Sequence, residues 1–277
     1  NFSPRRKDGE NMLIKELYDV IDELAPFKYS KEIVAAGGYD NSGVILDTGK
    51  EFKKVLFSLD LSLAAVRRAK RQGAGAVVTH HPAIYNPTKS LCASDPTSAP
   101  VIAAATGGLS VISAHLNLDT AAGGTDASLA TALGADEKEV KILSPLTFAG
   151  AGYGREFETE RTVLTDFVKA AKAELGAKRA FVYGSPYMEI KRAASFCGAG
   201  AGYAEEIYKN GGINADVIIT ADMPHHLIRE FVESGYAIVL FTHYATENYG
   251  FKKFFDNVSV KLNGKAETVM FTDDRFI

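Results

Sequence analysis

Three short stretches carry the side chains best suited to chemistry. VVTHHPAIY, residues 77–85, ends a β-branched run in His80 and His81. SVISAHLNLD, residues 110–119, places His115 four residues before Asp119. AIVLFTHYATE, residues 237–247, places His243 four residues before Glu247. Imidazole combined with carboxylate is a ligand set for Zn²⁺, Fe²⁺ or Mn²⁺. Positions i and i+4 share a helix face, so His243 and Glu247 can reach one ion. Neighbouring residues on a strand point to opposite sides. At a strand end leading into a loop, His80 and His81 could instead splay onto two ions. His80, His81, Asp119, His243 and Glu247 are too many ligands for one open catalytic ion. They suit two ions that share a bridging carboxylate. His115, His225 and His226 complete the six histidines of the chain. They are candidates for moving protons or for orienting a ligand.

Each stretch taken singly has an ordinary reading. A His-His pair can be two polar residues at a loop mouth. A His-x-x-x-Glu pair can be an exposed helix contact worth about 0.2–0.5 kcal/mol. Asp119 in NLDTAAGG can cap a turn, and His225 or His226 can face solvent at a helix start. What favours the metal is convergence: all three stretches end strands of one α/β pattern, where open sheets bind ligands.

The elements that must position these residues follow a β/α rhythm. NMLIKELYDVIDELAP reads as a helix stopped at Pro26, and AAGGYDNSG, residues 35–43, as a turn-rich segment. KVLFSLD, GAVVT and LSVISA read as strands, with LSLAAVRRAKRQGA a helix ended by Gly73. TDASLATALG reads as a helix capped by Thr125 or Asp126. In the second half RTVLTDFVKAAKAELGA, GYAEEIYKNGG and PHHLIREFVESG read as helices, and RAASFCG, DVIIT and YAIVLFT as strands. The segment from Tyr244 reads as helical, and VSVKLNGKAETVMFT as a hairpin turning at Asn263-Gly264. Alternation of this kind predicts an α/β fold with mostly parallel central strands. AVVT before His80 echoes VIIT before Ala221-Asp222, and SVISAHLNLD echoes AIVLFTHYATE. This weak repeat predicts two similar lobes, about 11–135 and 145–277, with strand ends meeting in a crevice.

Composition narrows the class. The 277 residues are 46% hydrophobic and 23% charged, which suits a globular protein with a large core. A net charge of −3 gives no general basic field for nucleic acid. Two cysteines, Cys92 and Cys197, form no disulfide framework and fit a reducing cytoplasm. No apolar run reaches transmembrane length, and NFSPRRKDGE at the start has no signal core. Position 1 is Asn rather than Met, so a missing start or a tag is expected. CGAGAGY has Gly-x-Gly-x-Gly spacing rather than the dinucleotide fingerprint, and reads as a tight strand-to-helix turn that could present N–H groups to a phosphate.

Taken together, THHPAIY, AHLNLDTAAGGTDASLATALG and FTHYATE resemble the Nif-three-like family, often called GTP cyclohydrolase I type 2 homologues. YDNSGVILDTG, AGYGREFE, GAGAGY and ADMPHH extend the resemblance from about Met12 to the C-terminus. Tyr39, Leu116, Thr125 and Ala221 depart from the residues common in that family at those places, and none is a proposed ligand. The resemblance implies the short form of the fold without an inserted domain, and a dinuclear centre. His81, Asp119 and Glu247 would hold one ion, and His80, His243 and Glu247 the other. It also implies a homohexameric ring with the sites facing an internal cavity.

The expectation is therefore a cytoplasmic protein with two divalent ions (Zn, Fe or Mn) per chain. The leading function is a metal-dependent hydrolase of a small phosphorylated or nucleotide-like substrate. The alternative is a non-enzymatic metal-binding scaffold, carrier or regulator. The first needs an open coordination position, the second does not.

Overall fold

The computed structural model describes residues 11–277. NFSPRRKDGE lies outside the described residues. The chain runs α1 (Ile14–Leu24), α2 (Phe27–Ala35), β1 (Gly43–Leu46), β2 (Lys54–Ser58), α3 (Leu63–Gln72), β3 (Ala76–Thr79), α4 (Ala99–Thr106), β4 (Ser110–Ser113) and α5 (Leu116–Asp119). It continues through α6 (Thr125–Ala132), β5 (Lys141–Pro145), β6 (Gly152–Val163), α7 (Leu164–Leu175), β7 (Phe181–Tyr183), β8 (Glu189–Ser195) and α8 (Ala201–Lys209). Last come β9 (Val217–Thr220), α9 (His225–Glu233), β10 (Ala237–Leu240), α10 (His243–Leu262) and β11 (Glu267–Met270).

The elements form two compact units. One contains the described residues up to Leu118 together with Phe254–Thr272; the other contains Asp119–Lys253 and Asp273–Ile277. The lobes expected from sequence follow chain order, whereas the units exchange segments: the second half of α10 and β11 belong with the first unit.

The first unit is built on a five-stranded sheet, β1-β4-β3-β2-β11. β4, β3, β2 and β11 run parallel, and β1 closes the edge antiparallel to β4. AVVT and SVIS are buried at every position. Parallel strands covered on both faces need such unbroken apolar runs. Leu56, Val77 and Val111 pack with Ala65, Val66 and Ala69 of α3 and Ala104 of α4. The small alanines let both helices lie close on the sheet. α3 starts at Ser62, whose hydroxyl accepts from the Ala65 amide at 3.1 Å, and ends at Gly73 in the left-handed conformation (φ 69°).

The second unit carries a six-stranded sheet, β5-β6-β8-β9-β10-β7. β8, β9 and β10 are parallel. β5, β6 and β7 add antiparallel edges. Its core gathers Phe157, Phe167, Phe196, Ile218, Ile219, Phe231 and Val239. The α/β expectation with parallel central strands holds in both units.

Three local expectations are corrected. Arg161-Thr162-Val163 does not start a helix: it ends β6, with Thr162 opposite Ile190 and Val163 opposite Glu189, and α7 begins at Leu164. Thr and Val at that point fit a pleated strand better than a first helical turn. The C-terminal hairpin is not formed either. VSVKL continues α10, and only ETVM is a strand, parallel to β2. Val-Ser-Val alternates as a strand would. However, the fully buried Phe251, Phe254, Val258 and Leu262 are spaced three or four apart, which is helical. Finally, α6 is capped by Gly124 rather than by Thr125 or Asp126, whose buried side chains have other partners.

Among the described residues no helix is long and apolar enough to cross a membrane.

Candidate metal centre

In the first unit β2, β3 and β4 are parallel, so their C-terminal ends share one sheet edge, the place where open α/β sheets bind ligands. That edge carries Asp60 after β2, His80 and His81 directly after β3, and His115 after β4. The amides of both His80 and His81 donate to the Leu59 carbonyl, at 3.1 and 2.9 Å. The Thr79 hydroxyl donates to the His81 carbonyl at 2.8 Å. The chain thus leaves the strand at once, and the His80 and His81 rings come to lie 5.0 Å apart. His80, His81 and His115 each offer a ring nitrogen within 4.8 Å of the others.

Hydrogen bonds settle which nitrogen that is. His80 Nδ1 meets the Ala114 carbonyl at 2.8 Å, His81 Nδ1 meets Asp60 at 2.8 Å, and His115 Nδ1 meets Asp40 at 2.7 Å. A carbonyl or ionised carboxylate only accepts, so each Nδ1 carries the proton, and a ring that is neutral then has its lone pair at Nε2. Metal-binding histidines are held in this manner. Asp40 is itself fixed by the Ser30 and Ser42 hydroxyls at 2.5 and 2.6 Å. Burial alone would raise the Asp40 carboxyl. The hydrogen bond and charge of His115, with the two hydroxyls, bring it from 3.8 down to about 2.

The second unit repeats the device. β8, β9 and β10 are parallel, and past their ends lie Cys197-Gly198, Asp222 and His243. His243 opens α10 and Glu247 follows one turn on, with Nε2 and Oε1 2.9 Å apart. His243 Nδ1 donates to Asp222 at 2.6 Å. Asp222 has φ 52° and is the one non-glycine with positive φ among the described residues. Asp tolerates that conformation better than most side chains, and strain of this kind collects at functional sites. With Nδ1–H committed to Asp222, a neutral His243 turns a lone pair towards the Glu247 carboxylate. Two acceptors at that distance call for a cation, either a proton or a metal ion.

Asp119, at the end of α5, is buried, as is Glu247, and the two offer oxygens within 4.8 Å of each other. The Thr125 hydroxyl and the Cys197 thiol (3.4 Å) both donate to Asp119 Oδ1. A buried pair of carboxylates favours a cation beside it. The same negative surroundings act on Cys197: burial first, then Asp119, Asp126 and Glu247, push its thiol well above the usual range. It is therefore a neutral donor rather than a nucleophile. Tyr153 is pushed up for the same reasons and donates to the Cys197 carbonyl.

The glycine run forms the tight turn between β8 and α8. Its amides are used internally: Gly198 N–H donates to Thr246 Oγ1 at 2.9 Å and Gly200 N–H to Thr220 Oγ1 at 3.2 Å. Gly198 has φ 58°, and a Cβ there would run into Glu247 Oε1 and lie 3.0 Å from His243 Nε2. Only glycine lets the turn lie this close to the two ligand candidates.

His225 and His226 are both exposed in the first turn of α9. Among the described residues, neither belongs to a group of His, Cys, Asp and Glu that could hold an ion. The sequence alone does not single out Asp40 or Asp60, and it marks Thr125 only as a helix cap and Gly198 only as part of a tight turn. The available signals were faint: a carboxylate in the YDNSG turn, a carboxylate ending KVLFSLD, a threonine inside TDASLATALG, and glycines in a strand-to-helix turn.

Fold and donor set define an α/β protein with His/Asp/Glu groups that could hold a metal ion. The family comparison is specific: residues 12–275 match the model of the Duf34/NIF3 (NGG1p interacting factor 3) family, and the chain belongs to that family. It is 28% identical over 262 residues to a GTP cyclohydrolase 1 type 2 homolog of Clostridium perfringens, covering 94% of this chain and 96% of the relative. A NIF3-like protein 1 of Drosophila melanogaster is 26% identical over 257 residues, covering 91% and 82%. Among solved structures, a hypothetical protein of Staphylococcus aureus shares the fold with a TM-score of 0.83 at 22% identity, covering 97% of this chain and 99% of the other. Reduced HcgD from Methanocaldococcus jannaschii gives 0.75 at 26% identity, covering 94% and 98%.

Proposed function

We propose that the protein binds two divalent ions and acts as a metal-dependent hydrolase on a small phosphorylated or nucleotide-like molecule. The observation that carries this reading is the state of the histidines. His80, His81 and His243 each give Nδ1 to an oxygen acceptor, which makes Nε2 the ring atom that would meet an ion. The cradle at Gly198, which a side chain would fill, supports it further.

In this reading the family resemblance would have His81, Asp119 and Glu247 hold one ion and His80, His243 and Glu247 the other. Bound there, the ions would supply Lewis-acid activation of water and of a substrate oxygen. Thr125 and Cys197 hold the Asp119 carboxylate in one orientation, and Asp60 and Asp222 hold the rings of His81 and His243. His115, oriented by Asp40, takes or returns a proton at Nε2. His225 and His226 contact substrate or relay protons from α9. The family resemblance adds a ring of six chains, which light scattering tests directly.

The deciding experiment is metal content of protein purified without chelator, beside Glu247→Ala. Close to two ions per chain in the parent, with both largely lost in the variant, supports the centre and its bridging carboxylate. A parent that is metal-free and cannot be loaded with Zn²⁺, Mn²⁺ or Fe²⁺ overturns it. Turnover of phosphorylated or nucleotide substrates by loaded protein supports the hydrolase. Full loading without turnover across such a panel favours the scaffold role instead.

A further inference from the structure

The second unit holds a buried cation that the proposed centre does not use. Arg155, on β6, has a side chain only 3% exposed. Its Nη1 lies 3.3 Å from Asp126 Oδ2 and donates to the Gly154 carbonyl at 3.3 Å. Asp126 is also buried and takes the Cys197 amide at 3.1 Å on its other oxygen. A guanidinium usually meets a carboxylate through two parallel hydrogen bonds. Here one arm is engaged. Nη2 is buried and has no hydrogen-bond acceptor among the described residues. A buried donor left without an acceptor is unfavourable, so the arrangement invites an acceptor from outside.

Arg155 is part of the wall of a cavity of about 330 Å³. That volume lies at the small end of ligand pockets. Ala127, Val140 and Ile142 give it apolar walls, Thr131 and Glu137 a polar one. The Thr131 hydroxyl faces Glu137 at 3.4 Å. The charges decide what fits. Asp126 lies beside Arg155, but burial pushes its carboxyl up to about 7, while Glu137 adds a negative charge to the lining. An anion drawn to Arg155 would be repelled by Glu137. A neutral group with an acceptor oxygen for Arg155 and an N–H for Glu137 would meet no repulsion.

We infer that this cavity binds a small uncharged amide or lactam, its carbonyl oxygen taken by Arg155 Nη2 and its N–H by Glu137. The apolar part of the ligand lies against Ala127, Val140 and Ile142. All these residues belong to the second unit, and none is a proposed metal ligand, so the site stands or falls apart from the metal centre.

The test uses the full chain with 2-piperidone, a neutral lactam, and pentanoate, an anion of similar size, in saturation-transfer NMR and isothermal titration. Saturable binding of 2-piperidone with weak or no binding of pentanoate is expected. Arg155→Met should weaken it by about tenfold, the loss of one buried hydrogen bond. Because Arg155→Met leaves Asp126 without its cation and can fail to fold, Ala127→Leu serves as the second variant. It fills the cavity without touching the ion pair and should abolish binding. The inference is overturned if pentanoate binds as well or better, if both variants bind 2-piperidone like the parent, or if the parent shows no saturable binding up to the solubility limit.

Discussion

Replacing Gly198 by alanine tests the metal centre where the structure gives a number to work from. Gly198 sits at φ 58°, and a left-handed conformation costs an alanine roughly 1–2 kcal/mol. In a chain of 277 residues that corresponds to a fall in Tm of about 2–8 °C. The new methyl also meets Glu247 Oε1 and His243 Nε2. The backbone cannot retreat, because the Gly198 amide is tied to Thr246 Oγ1 and its carbonyl accepts from the Ala221 amide at 3.0 Å. The side chains must therefore move. Disturbing the groups that hold metal ligands costs about 10–100-fold in affinity, or roughly 1.4–2.8 kcal/mol. Gly211→Ala is the control: its φ is 68°, with nothing within 4 Å of the added Cβ. Both variants should lose stability, and only Gly198→Ala should lose metal affinity, measured by competition with a chromogenic chelator. Equal metal affinity in Gly198→Ala and parent would refute the placing of Glu247 and His243 as ligands.

Two further outcomes are expected. Asp40 titrates at about 2 in the fold against an ordinary 3.8, so it contributes on the order of 2 kcal/mol that is present above pH 4 and lost as pH falls towards 2. Asp40→Asn should therefore be clearly less stable than the parent at pH 7 in urea unfolding, with the gap closing by pH 2–3; a gap of constant size contradicts the ion-paired state of Asp40. Along α10, Leu262 is fully buried while Val260 is 76% exposed. Leu262→Ala should cost about 2–5 kcal/mol and Val260→Ala no more than about 0.5. Similar costs at both would instead fit the alternating hairpin expected from VSVKL.

Much of the ligand-bearing framework was legible because its signals are local. Unbroken apolar runs such as AVVT, SVIS, VIIT and AIVL mark buried parallel strands. The polar residue that ends each run must sit at the sheet edge, and four-residue spacing puts His243 and Glu247 on one helix face. The echo between the halves was visible for the same reason, and in both units the matching residues stand past the ends of parallel strands. Less legible were the edges of the second sheet. β5, the N-terminal part of β6 and β7 are strands only because β6, β8 and β10 respectively offer them a partner, and VSVKL is helix because its buried residues, Val258 and Leu262, lie on one face of α10.

What the sequence alone determined about this protein is the inventory: which side chains can hold an ion, and that strand ends deliver them. Tertiary structure decided their state. Asp40 reaches His115 across 75 residues, and Asp60 and Asp222 reach His81 and His243 across 21. No periodicity records a hydrogen bond between residues so far apart in the chain. Yet those bonds choose the tautomer, and the tautomer determines whether Nε2 offers a proton or a lone pair. Gly198 makes the same point for shape, since its missing Cβ matters only because Glu247, 49 positions later, folds back against it. The physical reason is one and the same: local sequence sets propensity and pattern over a few residues, while protonation, orientation and clearance are set by whatever the fold brings within about 3 Å.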